Sequence, residues 1–377
     1  VLKVSFALVG MGAYMGLFFP ALPIQSIAVV LAIALGALNL FGAKKTGGLQ
    51  VLLVVGLLAI LSGFIGGGLP KLNFAHFEGF FEPGMNSILD TAGLVYISYV
   101  GVTKVASLSE EVSNPERNLP LGIFLAIGTA ILVYGLGTTI MVGTVAPDQL
   151  AGDLTPAASA AENIFGYWGK LLISVAALLA FTSVANAGIL SASRYPLAMS
   201  RDHILPECFR LLGKMNTPVY SIIISVGTIV TILIVLDPTG IAKLASAFQL
   251  LMFTLVCLAV IVMRESRINS YDPGCHSPLY PWMQIFGILA SLFLLVGMGL
   301  LTMLFSGGLI VVGTLWYWYY ARDKVVRNGA IYHVFERLGK RRFEGLDYEL
   351  RGILKEKGLR KEDPFEEIVA HNSSLLT

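Results

Sequence analysis

Charge is scarce in this sequence. Only 13% of its 377 residues are charged, against 55% hydrophobic, and the mean hydropathy is +0.75. So little charge excludes a water-soluble globular domain and leaves a chain that crosses a bilayer many times. A net charge of +2 supplies no basic face for nucleic acid. Cysteine is scarce too, and Cys208, Cys257 and Cys275 have neither paired nor metal-ligand spacing. Two of the three fall in loops expected on the cytoplasmic side, where thiols stay reduced. His76, His203, His276, His333 and His371 are too scattered to hold a metal, and there is no nucleophile elbow, HExxH motif or phosphate loop. These absences argue against an enzyme, and no cofactor is expected beyond a coupling ion. The period-2 alternation of a membrane barrel is missing as well, which leaves an all-α polytopic membrane protein as the fold class.

What is present is a series of apolar runs, each of the ~20 residues that span a bilayer as a helix. About ten recur from the first residues to Tyr320. They lie near 4–19, 24–41, 49–65, 85–109, 121–145, 164–199, 220–236, 241–263, 282–304 and 309–320. Pro120 opens the fifth of these runs, and Ser306-Gly307-Gly308 separates the last two. Alternate loops collect Lys44, Lys45, Arg117, Arg194, Arg201, Arg210, Lys214, Arg264 and Arg267, whereas the opposite set holds only Lys71, Lys170 and Lys243. That bias places the richer set in the cytoplasm. The cluster Trp316 to Tyr320 then sits as an aromatic belt at the exit of the last span.

The chain divides at that belt into a transmembrane domain, 1–320, and a charged tail, 321–377. Of the 26 Lys and Arg, 12 fall in the tail. Charges of both signs alternate there with apolar residues at helical spacing, as in Ile331, Val334, Phe335 and Leu338. Two readings stand: a solvated amphipathic tail on the cytoplasmic face, or a linker into a further cytoplasmic domain or partner. The first residue is Val rather than Met, so the sequence is expected to be a piece of a longer protein.

With catalytic motifs missing, the chemistry must lie in polar residues inside the membrane, which are costly there and are kept for binding or conduction. The richest stretch is Tyr96–Pro120, where Ser98, Gly101, Thr103 and Lys104 interrupt an apolar helix before the water-facing Glu110 and Glu111. A break at Gly101 would expose backbone N–H and C=O groups able to hold a carboxylate, an ammonium or an ion, with Ser98 and Tyr99 adding hydroxyls. The plainer reading is that Gly101 permits close helix packing and that Ser98 bonds back to its own helix. Lys104 is either a buried cation standing in for a transported ion or a side chain that snorkels to the interface. Thr182, Ser183 and Asn186 share one turn inside the sixth run, as cation or substrate ligands or as hydroxyls bonded to their own backbone.

Three motifs carry a family resemblance. SYVGVTKVASLSEEVSNPERNLP, SVANAGILSASRYPLAMSRDHILPECFRLLGKMNTPV and the spaced set Arg264, Pro273, Gly274, Pro278, Leu279, Tyr280 and Pro281 resemble the sixth helix, the eighth helix and the tenth-to-eleventh loop of the amino acid-polyamine-organocation permeases. ALNLFGAKKTGGLQ adds a weaker match to the fourth-to-fifth turn.

The resemblance implies an inverted-repeat transporter fold of two five-helix repeats plus two helices, with the first two helices preceding this chain. It implies a secondary transporter of amino acids in the cytoplasmic membrane, working by alternating access and coupled to sodium or protons. Carried over by the resemblance, the substrate positions are Ile97, Ser98, Tyr99, Val100 and Gly101. Many members carry an acid at Thr103 and a small residue at Lys104. Gly56 stands where some carry a lysine in a sodium position, which leaves room for sodium at Thr182 and Ser183 or a role for Lys104. Gly188 replaces a bulky side chain of some basic amino acid exchangers, and with the apolar Ile97 and Val100 it implies a neutral, bulky substrate. The tail resembles the connector of permeases fused to a universal-stress-like domain. The competing class is a non-transporting sensor that binds an amino acid and signals through the tail.

Overall fold

The computed structural model describes residues 1–40, 47–99, 101, 112–213, 217–266 and 277–322, and for 47–53 the backbone alone. Val100, Thr103, Lys104, Cys275 and the tail beyond Arg322 lie outside the described residues. Among the described residues the secondary structure is entirely helical: α1 Leu2–Gly16, α2 Ile24–Leu40, α3 Gly47–Gly68, α4 Gly84–Val95, α5 Pro115–Thr144, α6 Pro147–Leu150, α7 Pro156–Phe165, α8 Tyr167–Arg201, α9 Val219–Val235, α10 Pro238–Ser266, α11 Trp282–Gly297 and α12 Leu300–Trp316. Five helical stretches among them are long and apolar enough to cross a membrane, and α1, α2, α9 and α11 are shorter apolar helices. The chain is an all-α multi-span membrane protein. By compactness it forms two units, Val1–Cys257 with Pro273–Val326 and Leu258–Asp272 with Arg327–Thr377. Three apolar cores lie within the first of these units.

Lipid is as apolar as leucine, so helices associate through close packing and buried polar contacts. Both are visible where α1, α2, α8 and α9 meet. Leu8, Ala28, Ala32, Ala185, Ile189, Ile229 and Leu233 are buried together there. Small residues set the spacing: a Cβ on Gly36 would lie 2.7 Å from Val226, and one on Gly188 would overlap Val4. A second core joins Phe64, Ile140, Ala160, Ala161, Ile164 and Ile173 from α3, α5, α7 and α8. The third joins Ala247, Leu250, Leu295 and Met298, with Tyr96 and Phe305 packed against it.

Three boundaries differ from the hydropathy reading. The sixth run begins as a separate helix, α7, because Gly166 at φ +70° turns the chain before α8. Asp153 orders its entry, its carboxylate accepting hydrogen bonds from the Thr155 N–H at 2.7 Å and the Ser159 hydroxyl at 2.6 Å. The last two spans separate at Met298-Gly299, and α12 runs straight through Ser306-Gly307-Gly308. Gly299 takes φ +98°, a conformation that side chains disfavour, and the Thr302 hydroxyl closes the turn on the Gly299 carbonyl at 2.6 Å. Pro120 lies inside α5, which starts at Pro115 after a left-handed Asn114. A proline near a helix start gives up an N–H that has little or no intrahelical partner, so Pro115 is the better opening.

Candidate functional site

The α-helical hydrogen bonding of α4 stops at Val95, and Tyr96–Tyr99 tighten into a 3-10 turn. Tyr96 N–H bonds back to the Gly93 carbonyl, which deprives Ile97 N–H of its usual acceptor. Ser246 of α10 supplies the replacement. Its hydroxyl donates to the Leu94 carbonyl at 2.7 Å and accepts the Ile97 N–H at 3.0 Å. One side chain thereby satisfies both an orphan acceptor and an orphan donor of the interrupted helix, and it is itself fully buried. Met298 also presses against Gly93, where a Cβ would lie 2.6 Å from the thioether.

Aromatic rings continue the same locus from α10 to α5. Phe253 meets Tyr96 edge-on at 5.6 Å, Tyr96 lies 6.4 Å from Tyr99, and Tyr99 meets Tyr134 edge-on at 5.8 Å. Ile97 is buried, Tyr99 is half-buried, and Ser98 and Gly101 are exposed. A Cβ added to Gly101 meets nothing within 4 Å among the described residues. The α-helix of α4 thus gives way to a 3-10 turn that Ser246 ties to α10, with Ser98 and Gly101 exposed beyond it.

Thr182, Ser183, Asn186 and Gly188 lie on α8, and three of them, Thr182, Asn186 and Gly188, meet α1 or α2. Thr182 donates to the Leu178 carbonyl at 2.7 Å and approaches the Met11 sulfur at 3.7 Å, as hydroxyls in membrane helices do. Asn186 Oδ1 accepts from Asn39 Nδ2 at 2.7 Å, and the same nitrogen donates to the Leu35 carbonyl at 2.8 Å. Gly188 is packed against Val4. No hydrogen bond or ring contact among the described residues joins this set to the α4 break.

Sequence reasoning missed Asn39, Ser246 and Gln249. All three are buried polar residues, and the last two stand in α10, whose apolar window has a mean hydropathy of 2.4. That isolation in an apolar run was the available signal.

A family model described as amino acid permease matches residues 2–322. The chain belongs to the amino acid permease family. The sequence motifs pointed to the same superfamily, and the match is to transporters rather than enzymes. Vacuolar cationic amino acid transporter 4 of Arabidopsis thaliana is 30% identical over 64% of the permease chain and 41% of its own length. The branched-chain amino acid permease BcaP of Lactococcus lactis subsp. cremoris is 27% identical over 80% of this chain and 67% of its own. The methylthioribose transporter of Bacillus subtilis is 27% identical over 80% of this chain and 65% of its own. The permease chain thus spans only part of the length of its relatives, less than half of the Arabidopsis transporter.

Proposed function

We propose that the full-length permease carries a neutral amino acid across the cytoplasmic membrane by alternating access, binding it at the opened end of α4. The observation that carries this reading is the Ser246 bridge, which leaves Ser98 and Gly101 exposed beside interrupted backbone. Half-broken membrane helices offer unpaired N–H and C=O groups to zwitterionic ligands near mid-depth. The rings of Tyr96, Tyr99, Tyr134 and Phe253 form an uncharged aromatic flank to the break, which suits a neutral side chain. The branched-chain permease among the relatives favours the same class.

Coupling to sodium or protons is assigned to α8 and Lys104. The Thr182 hydroxyl spends its hydrogen on Leu178 and keeps oxygen lone pairs for a cation, with Ser183 beside it. The test is uptake of labelled amino acids into proteoliposomes of the full-length protein, with sodium and pH gradients imposed separately. Accumulation under one gradient, with its ion dependence altered in Lys104→Ala, is expected. Saturable binding without accumulation or counterflow would overturn transport in favour of a sensor acting through the tail.

A further inference from the structure

Ser246, Gln249 and Phe253 follow one another at three- and four-residue spacing and so share one face of α10. The contacts at either end show what that face looks onto. Ser246 is bonded to Leu94 and Ile97, and the Phe253 ring lies against Tyr96. Gln249, between them, is therefore held beside the interrupted end of α4. It is only 5% exposed, yet its amide nitrogen has no hydrogen-bond partner among the described residues.

A buried primary amide with an idle donor is costly, since removal from water is not offset by a new bond. A side chain serving only to fill space there would be apolar. Ser246 meets the needs of the helix break, and the neighbouring core on α10 is made by Ala247 and Leu250. The Gln249 amide nitrogen is left over from both tasks, on the face of α10 that carries the Ser246 bonds to Leu94 and Ile97 and the Phe253 contact with Tyr96.

We propose that Gln249 is a substrate-binding residue, whose amide donates a hydrogen bond to an oxygen of the carried amino acid. The inference rests on the transport reading above and adds a specificity-determining residue to it. The oxygen belongs either to the α-carboxylate or to the substrate's side chain. In the first case every amino acid gains from Gln249; in the second only those with a side-chain oxygen gain. The unpaired donor carries a stability cost that the ligand relieves, so apolar replacement loses affinity without losing the fold.

The test compares Gln249→Leu, Gln249→Glu and wild type in the full-length protein, measuring thermal midpoints in detergent and proteoliposome KM for leucine and for glutamine. Gln249→Leu is expected to keep or raise the midpoint while KM rises about tenfold, the loss of one good hydrogen bond. A rise for both substrates assigns the carboxylate, and a rise for glutamine alone assigns the side-chain oxygen. Gln249→Glu, which keeps the shape but loses the donor when ionised, should raise KM at least as far. An unchanged KM in Gln249→Leu overturns the inference, as does a lowered midpoint with Vmax falling and KM unmoved. If wild type neither takes up nor is thermally protected by either amino acid, the transport reading falls with it. A responsive wild type with indifferent variants removes Gln249 alone.

Discussion

The Ser246 hydroxyl oxygen lies 3.0 Å from the Ile97 nitrogen, across 149 residues of sequence, and accepts a hydrogen bond from its N–H. This bond, with its companion to Leu94, makes the end of α4 a stable feature rather than a frayed one. An interrupted helix in lipid would otherwise leave a donor and an acceptor without water to satisfy them. The residue that stabilises the candidate site is thus on a different helix from the residues that form it.

Ser246→Ala removes both partners at once. Each orphaned buried group costs about 1–3 kcal/mol, so a lower thermal midpoint in detergent is expected, together with impaired uptake by the full-length protein. A variant with wild-type midpoint and uptake would show that the break sustains itself without α10.

Gly101 and Gly188 should respond differently to enlargement. Leucine at Gly101 enters open space, so folding is expected to survive while uptake fails through a blocked site. Leucine at Gly188 runs into Val4, and overpacking of that kind costs about 1–3 kcal/mol. Measuring folded yield and uptake for both separates the two roles; loss of folded protein in Gly101→Leu would contradict the open site.

Asn39 and Asn186 link α2 to α8 through the 2.7 Å amide contact. A double-mutant cycle with leucine at each position should give a favourable coupling of about 0.6 kcal/mol, the average for such bonds in membrane helices. Zero coupling in thermal or denaturant unfolding would mean the two amides stabilise the protein independently.

Lys71 donates to the Ile164 carbonyl in the last turn of α7, where the helix dipole favours a cation. Lys71→Met should destabilise by about 0.3–1 kcal/mol at low salt. The difference should shrink as ionic strength rises, since Lys71 is exposed. A salt-independent loss would point to packing of the lysine stem instead.

Much of this architecture was legible in the sequence. The bilayer rewards total hydropathy over some twenty residues, a local and additive quantity, so the spans could be read from composition alone. The small and polar residues near Ser98 stood out for the same reason, but the expected break at Gly101 is preceded by the end of the α-helix at Val95 and the 3-10 turn at Tyr96–Tyr99. Where several signals competed locally, position was lost. Ser306-Gly307-Gly308 looked like a break but stays helical, because helices in lipid keep glycine rather than expose backbone, while Gly299 turns the chain at φ +98°.

By itself, the sequence determined the all-helical membrane fold and the family, because each follows from local composition and motif. Tertiary structure alone decided which polar side chains meet. Ser246 with Ile97, Asn39 with Asn186 and the unpaired amide of Gln249 depend on how distant helices pack. No periodicity in one segment encodes a hydrogen bond made by another.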